Sequence, residues 1–354
     1  MKEKKHNITL NAERSRLVSV DMMVGLAMIF VVLGHHTFDF SPRWYSRGVH
    51  EWIYMFHMEV FMFLSAFLIR YSYKGVSSVK QYLQYVGRKF VKFFIPFLFI
   101  GLAVALSRSY AMGLDMNLMW PTTTMALKTL VLYPMWSDAS FLWYIYVLFG
   151  FYVISPLVIA MPRMVKMILC VASLALQLLP AGHLLGSFLF CKYTFFYLLG
   201  ILCGEGVEEF RSIKTWVWGL LSIPFVVWSV LVLVARIGGG IDYEWLLVAP
   251  WQYHVVEPCI AIPFFYFFAR LVGEIGWVNN ILTSISENCF WIYLLQMFVI
   301  WACVYAMQIS GLQCPFVIFM LISVVLAIAV PIAIQKISSY LPKLRSKVPK
   351  SKKK

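Results

Sequence analysis

Asp21 and His35 lie near opposite ends of the first strongly apolar stretch of the chain. At 100° per residue of an α-helix, they fall within about 40° of one another on one face, separated by about 21 Å of helix rise. Imidazole is the side chain best suited to accept a proton near neutral pH, so His35 is a candidate general base. A neutral histidine that is only hydrogen-bonded inside a bundle is the structural alternative. The neighbouring His36 points about 100° away, so both cannot serve one site equally.

The second apolar stretch carries three further polar groups, His57, Glu59 and Ser65. An ionised carboxylate is costly among apolar helices, so Glu59 should be either protonated or paired with a cation inside the bundle. A structural ion pair and a direct role in a site both remain open on this pattern.

Three cations, Arg88, Lys89 and Lys92, stand shortly before Pro96 at the start of the third apolar stretch. A charge cluster that only marks the cytoplasmic end of a membrane span would have the same sequence. The functional alternative is a binding site for the phosphates of a cytosolic donor, which clustered Arg and Lys suit. Further along the chain, His254 and Glu257 are one helical turn apart and could either line a cavity or form a structural hydrogen bond.

The composition shows which kind of protein must position these residues. Of 354 residues, 61% are hydrophobic and 13% are charged, whereas about a quarter are charged in a soluble domain. Mean hydropathy is +0.78. Ten membrane spans of about 20 residues would use roughly 200 positions, which leaves almost nothing for a soluble domain. The sequence therefore predicts an all-α, polytopic membrane protein, and it excludes a nucleic-acid-binding module despite the net charge of +14.

Ten apolar stretches are candidate spans, and each must be helical because the bilayer core satisfies no backbone hydrogen bonds. They are residues 20–38, 52–69, 90–107, 141–160, 165–180, 188–203, 216–236, 244–268, 289–307 and 316–335. The longest connection, 108–140, is predicted to carry an interfacial or re-entrant piece because of its Trp and Pro residues.

The distribution of cations predicts the orientation. If the spans alternate from a cytoplasmic N-terminus, 24 of the 30 Lys and Arg residues lie on the inner side, as the positive-inside rule requires. The six outer ones are Arg43, Arg47, Arg108, Lys128, Lys192 and Arg236. We therefore expect a basic cytoplasmic segment at 1–19, a membrane domain at 20–335 and a polybasic cytoplasmic tail at 336–354. The tail is expected to contact anionic lipid headgroups.

Seven cysteines are spread through the chain without a CxxC pair, and nearly all lie in or beside apolar stretches. Small apolar residues of this kind usually serve helix packing. We therefore expect neither a metal site nor a disulfide framework.

Several of these stretches together resemble the acyltransferase-3 family of membrane O-acyltransferases. That family opens with Asp-x-x-Arg/Lys-Gly, an apolar run and a histidine, which correspond to Asp21, Gly25 and His35. Its second motif, Phe-x-His-x-Pro-x-Phe-Phe-Phe-x-Ser-Gly, is similar to the stretch with His57 and Ser65. The resemblance continues through Arg88, Lys92 and Pro96, through the Leu-Trp-Phe-like stretch 141–144, and through the late span 281–300.

The resemblance implies a ten-span enzyme of a bacterial inner membrane that transfers an acyl group, usually acetyl from cytosolic acetyl-CoA, to a hydroxyl of a glycan. It implies that His35 is the general base or a transient acyl carrier, with Asp21 on its helix face, and that His57 and Ser65 orient groups or stabilise the oxyanion. The donor's phosphates would bind to Arg88, Lys89 and Lys92. Residues expected on the substrate side are Glu59, Trp143, His254, Glu257 and Gln296. Expected partners are the glycan acceptor, acyl-CoA, membrane lipids and polysaccharide-synthesis proteins.

Four positions depart from the family pattern. Val24 replaces the basic residue, Glu59 the proline, Ala66 the glycine and Gln296 the late histidine. Loss of the cation at Val24 raises the alternative of an acylation-inactive scaffold for a polysaccharide synthase. Intramembrane Asp, Glu and His residues also fit a carrier or exporter of a polysaccharide or its precursor.

Overall fold

The computed structural model describes residues 2–179, 181–238, 255–311 and 314–347. All regular elements in this part of the chain are helices. The α-helices are α1 Lys2–Gly34, α2 His50–Tyr54, α3 His57–Ser72, α4 Val79–Lys89, α5 Ile95–Ala111, α6 Met116–Leu132, α7 Trp143–Ala160, α8 Arg163–Leu176, α9 Ser187–Glu205, α10 Val207–Ser212, α11 Thr215–Gly238, α12 Val256–Val272, α13 Gly276–Glu287, α14 Cys289–Ser310 and α15 Phe316–Lys347. Tyr45–Val49 and Phe90–Phe94 are π-helical, and Pro134–Trp136, Ser140–Leu142 and Leu184–Gly186 form short 3₁₀ turns.

Seven helical segments among the described residues are long and apolar enough to cross a membrane. They are Tyr45–Ser72, Val79–Ala111, Ser140–Ala160, Leu184–Glu205, Thr215–Ile237, Cys289–Ser310 and Phe316–Ser339, and Val18–Gly34 is a shorter apolar helix. Each of the ten predicted stretches overlaps a described helix. The helical class is therefore confirmed, while the count of ten spans, the sides of the termini and the three-part division of the chain stay predictions.

The connection 108–140 contains more regular structure than the sequence suggested. Its centre is the 17-residue helix α6, whose first turn is capped by Asp115 accepting a hydrogen bond from the backbone N–H of Leu118 at 3.0 Å. Pro121 lies inside the helix, six residues after the cap, where its missing backbone N–H removes the hydrogen bond to the carbonyl of Asn117. Three consecutive threonines, Thr122–Thr124, break up the apolar pattern. This is why the segment is not marked as an apolar stretch.

The described chain forms two compact units. The first comprises residues 2–58, 214–238 and 255–347, and the second comprises residues 59–213. In the first unit, α1 packs against α12, α13, α14 and α15, α11 packs against α12, and α14 packs against α15. Gly25 makes the α1–α13 contact possible, because a Cβ atom at this position would collide with the backbone carbonyl of Leu282.

In the second unit, α3 and α9 approach each other through two glycines. A Cβ at Gly200 would strike the carbonyl oxygen of Phe63, and one at Gly204 would lie 2.8 Å from that of Phe67. Small residues four apart are a common way for helices in a bilayer to pack closely. The later residue of α9 faces the later residue of α3, so the two helices run in the same direction.

A single helical segment, Val79–Ala111, carries the predicted cation cluster in the second unit. Its start is capped by Ser78, which accepts a hydrogen bond from the backbone N–H of Gln81. The π-helical turn Phe90–Phe94 interrupts it just before Pro96, which has no backbone N–H to donate to the preceding turn. Such π turns occur frequently at functional sites.

Candidate active site

Within the first unit, Asp21 lies where α1 meets the end of α13. Its half-buried carboxylate is hydrogen-bonded by the side chain of Ser286, and a second carboxylate, Glu287, is close by. Asp21 therefore has a defined partner in the helix packing, on the helix that ends at Gly34, directly before His35.

The two neighbouring histidines have different environments. His36 is fully buried, donates from Nδ1 to the carbonyl oxygen of Val32 at 2.8 Å, and places Nε2 2.6 Å from Oγ of Ser323. His35 is half-buried, and its side chain makes no hydrogen bond within the described part of the chain. His36 is thus a packing residue that joins α1 to α15, whereas His35 has nitrogen atoms available for a substrate.

A row of rings packs beside the end of α1 that carries His35. The imidazole of His50 donates a hydrogen bond to the backbone carbonyl of Gly34. The Tyr54 ring is centred 4.2 Å from that of His50 and 4.8 Å from that of His57. A Cβ at Gly34 would lie 3.0 Å from the Tyr54 ring, so glycine at this position allows the ring to pack there.

His57 has a hydrogen bond that fixes its tautomer. Its Nδ1 lies 2.7 Å from the carbonyl oxygen of Ile53, which can only accept, so Nδ1 carries the proton. In the neutral ring Nε2 is then an acceptor. This geometry suits a residue that orients a hydroxyl better than one that donates to an oxyanion.

Gln296, also in the first unit, lies at the position where the family pattern often has histidine. It is fully buried on α14, and neither amide atom is hydrogen-bonded to a described residue. A buried amide without partners is costly, which makes it a candidate for contact with a polar ligand. Glu257 is half-buried in the first turn of α12. His254 lies outside the described residues.

In the second unit, Glu59 is paired with a cation, which is one of the two states that the sequence left open for it. Its Oε1 lies 2.7 Å from Nζ of Lys192, with the two side chains 1% and 9% exposed. Lys192, counted above with the outer cations, lies inside α9 and balances this carboxylate. It therefore carries no information on orientation, and five outer cations remain.

Ser65 and Trp143 each have a specific neighbour from α7 or α9. Oγ of Ser65 lies 2.5 Å from the hydroxyl of Tyr144, and either atom can be the donor. The Trp143 ring stacks on Tyr193 at 5.0 Å between centroids and 24° between planes. Trp143 is half-buried, so part of its indole stays accessible for stacking.

The cation cluster borders a cavity of about 690 Å³ in the second unit. Arg88 and Lys89 line it together with Lys74, and the turn between α3 and α4 closes one side. Gly75 in that turn has φ +87°, a left-handed conformation that other residues rarely adopt. Three positive charges on one cavity wall favour an anionic ligand.

Lys89 is enclosed by aromatic rings. Its Nζ lies 3.9 Å from the centroid of Tyr152, 5.5 Å from that of Tyr85 and 5.8 Å from that of Phe93. Such cation–π contacts hold the ammonium in one place beside the cavity. Lys92 is exposed, lies 5.1 Å from the Phe93 ring and does not line this cavity.

Sequence reasoning missed four residues that the structure adds to these groups. They are Lys74, Tyr144, Tyr152 and Lys192. Lys74 could have been noticed, since it directly precedes a glycine at the end of a span. The other three contribute through contacts between distant parts of the chain, for which the sequence holds no local signal.

The predicted site residues divide between the two units. The first unit holds Asp21, His35, His57, Glu257 and Gln296, and the second holds Glu59, Ser65, Arg88, Lys89, Lys92 and Trp143. The structure brings Arg88 and Lys89 together on one cavity. His35 and His36 have different environments, but α1 ends at Gly34, so both lie beyond the helix on which the helix-face argument placed them.

Comparison with known proteins identifies the chain's relatives. A family model described as an acyltransferase domain matches residues 17–336. The nodulation protein NolL of Mesorhizobium japonicum is 24% identical over 242 residues, which is 64% of this chain and 57% of that protein. The nodulation protein NolL of Sinorhizobium fredii is 25% identical over 200 residues, which is 55% of this chain and 50% of that protein. The chain thus spans about half the length of the curated relatives it matches, and no solved structure matches it.

Proposed function

Because the chain belongs to the acyltransferase-3 family, of which it carries the acyltransferase domain, we propose that it is a membrane O-acetyltransferase. In this proposal it transfers acetyl from cytosolic acetyl-CoA to a hydroxyl of a cell-surface or lipid-linked glycan. The observation that carries the proposal is the family match over residues 17–336, which contains all the candidate site residues.

The cavity beside Arg88 supports an acyl-CoA donor. Coenzyme A carries a diphosphate and a ribose phosphate, and guanidinium and ammonium groups suit both. Arg88, Lys89 and Lys74 line one cavity, and Tyr85 and Tyr152 in its wall offer aromatic surface to the adenine ring. Lys92 would add long-range attraction only, because it does not line the cavity.

His35 supplies the base. In direct transfer, a neutral His35 nitrogen takes the proton of the acceptor hydroxyl while that oxygen attacks the thioester carbonyl carbon. The carbon–sulfur bond then breaks, coenzyme A leaves as thiolate and takes up a proton, and an ester remains on the acceptor. In the stepwise form, the same nitrogen attacks the thioester carbon, the carbon–sulfur bond breaks and coenzyme A leaves as thiolate. The acceptor hydroxyl then takes the acetyl group from the nitrogen, and its proton passes to the thiolate.

The remaining candidates position substrate. In this proposal His57 orients the acceptor hydroxyl, and Ser65 with Tyr144 offers a hydroxyl pair to the carbonyl oxygen. Trp143 provides a surface on which the substrate can stack. Gln296 provides a buried amide that is not hydrogen-bonded to any described residue.

The proposed setting is a bacterial inner membrane, crossed several times, with both termini in the cytoplasm. The donor would then bind on the cytoplasmic side, and His35 would lie toward the outer side, where an assembled glycan is found. Polysaccharide-synthesis proteins are the proposed partners, since they deliver the acceptor.

Deletion of the gene tests the function. Surface glycan from the deletion strain should lose alkali-labile acetate and regain it with the wild-type chain but not with an equally abundant His35→Ala chain. Unchanged acetate per sugar, together with less glycan at the surface, would refute the enzyme and favour an exporter.

A further inference from the structure

A second cavity of about 490 Å³ lies in the second unit, apart from the one that holds Arg88. It lies between the end of α5, helix α6 and the segment 133–140. Arg108, Thr122, Trp136 and Asp138 all line it. None of these residues has a role in the proposed acyl transfer. Its volume lies within the range of small-molecule sites.

Trp136 forms a fixed aromatic surface in this cavity. Its ring stacks on Tyr133 at 5.7 Å and 11°, and it contacts the ring of His183 at 4.7 Å. Even so, Trp136 is 64% exposed. A large aromatic side chain that is both held in place and exposed at a cavity loses little conformational entropy when a ligand packs on it.

The polar groups of the cavity are balanced in charge. Arg108 and Asp138 form an ion pair on its wall, so the site offers a guanidinium donor and a carboxylate acceptor side by side with no net charge. The hydroxyls of Thr129 and Ser137 donate to the carbonyl oxygens of Met125 and Pro134 at 3.0 Å each, which leaves their lone pairs to accept.

These features select among ligand classes. A phosphate headgroup would favour a cation that is not already neutralised, and an acyl chain would leave the ion pair and the hydroxyl groups of the wall without polar partners. A pyranose ring is neutral, has an apolar face of C–H groups that packs on an indole, and carries neighbouring hydroxyls that both donate and accept. Its hydroxyls match the ion pair and the hydroxyl groups of the wall, and its C–H face matches Trp136. The rest of the lining is largely apolar and comprises Ala105, Met112, Pro121, Met125 and Ala126.

We propose that this cavity binds a pyranose unit of the glycan that receives the acyl group. That the bound sugar belongs to the acceptor rests on the proposed function. The inference also rests on the predicted location of residues 108–140 on the outer side of the membrane. Trp136 packs on the sugar face, and Arg108 and Asp138 bind adjacent hydroxyls.

Saturation-transfer NMR tests this site on the full chain in phosphatidylcholine nanodiscs without any acyl-CoA. The probes are the methyl pyranosides of glucose, galactose, mannose and N-acetylglucosamine. At least one should receive saturation from the wild-type chain. Replacing the aromatic platform in Trp136→Ala should weaken its binding about threefold to tenfold. Trp120→Ala is the matched control, because Trp120 is an equally exposed tryptophan of α6 that does not line the cavity.

Absence of transfer to all four glycosides would overturn the proposal, as would an equal loss in the two tryptophan variants. The measurement is independent of acetyl transfer. A site that binds sugar in a chain without acyltransferase activity would refute the proposed function alone. If the Trp136→Ala variant acetylates the acceptor with the same acceptor KM as the wild-type chain, the sugar site alone would be refuted.

Discussion

The ammonium group of Lys192 lies 2.7 Å from the carboxylate of Glu59, and both side chains are buried between α3 and α9. The same two helices touch through Gly200 and Gly204 further along. The family pattern has proline at the position of Glu59. In this chain the helix pair contains instead a buried carboxylate and a buried ammonium group that neutralises it.

Removing one member of this pair should destabilise the protein strongly. Glu59→Gln takes away the carboxylate that faces a buried ammonium, which typically costs about 3–5 kcal/mol. The joint replacement Glu59→Met with Lys192→Met removes both charges and should cost far less. Thermal unfolding of the three proteins in one detergent measures the difference. A double variant as unstable as Glu59→Gln would show that the pair does not act as a unit.

His35 should carry the chemistry and His36 should not. Loss of a positioned base typically costs about 10²–10⁴-fold in rate, so His35→Ala should accumulate normally and leave the glycan without new ester. His36→Asn is the control, because an amide N–H in place of Nδ1 can still donate to the Val32 carbonyl. Near-normal acetylation by His35→Ala would contradict the mechanism and bring the carrier alternative forward.

The donor should bind through the cations that line the cavity. Arg88→Gln with Lys89→Gln should raise the KM for acetyl-CoA several-fold, with a smaller effect at high salt because screening already weakens the attraction. Lys92→Gln should change it less, since Lys92 does not line the cavity. If Lys92→Gln matches or exceeds the double variant, the donor's phosphates bind elsewhere.

Gly25 should tolerate no side chain. Its Cβ would collide with the carbonyl of Leu282, so Gly25→Ala must push α1 away from α13, and overpacking of this kind costs about 1–3 kcal/mol. Gly87→Ala provides the comparison, because nothing lies within 4 Å of a Cβ at that exposed helical glycine. It should leave stability unchanged or raise it slightly. Equal melting temperatures for the two variants would contradict the close approach.

Orientation can be tested with reporter tags. Tags at the N-terminus, near Lys80 and after Lys350 should report the cytoplasm, and one near Arg47 should report the outside, as the cation distribution predicts. If the ten spans alternate in direction from a cytoplasmic N-terminus, the second and the sixth both cross from the outside to the cytoplasm. These spans contain α3 and α9, whose parallel directions agree with that expectation. A tag near Lys80 found outside would refute the ten-span arrangement.

Apolar stretches and charge spacing predicted the helices well, because a buried helix in a bilayer needs an unbroken apolar run and internal backbone hydrogen bonds. The helix-face argument assumed that α1 continues through residue 38, whereas the helix ends at Gly34 and both His35 and His36 follow it. Helices α4, α6, α10 and α13 lie in connections between the predicted stretches, and α6 is the longest of them. Its threonines and Lys128 lower the local hydropathy although the backbone is helical.

The contacts that define the sites were beyond the reach of the sequence. Glu59 was expected to be either protonated or paired with a cation, and nothing local identifies Lys192, far along the chain, as its partner. The bond between Ser65 and Tyr144 and the contact between His36 and Ser323 are of the same kind. Each depends on which helices become neighbours, and hydropathy does not encode that choice.

The π-helical turn Phe90–Phe94 also limits how this chain can vary in evolution. Such a turn holds one residue more than an α-helical turn. Deleting a single codon there would rotate Arg88 and Lys89 by about 100° relative to the helix that follows. Both cations would then turn relative to Tyr152, the one described lining residue of their cavity that follows the turn, although no functional residue had been mutated. Selection should therefore act on the length of this turn more strictly than on the identity of its side chains.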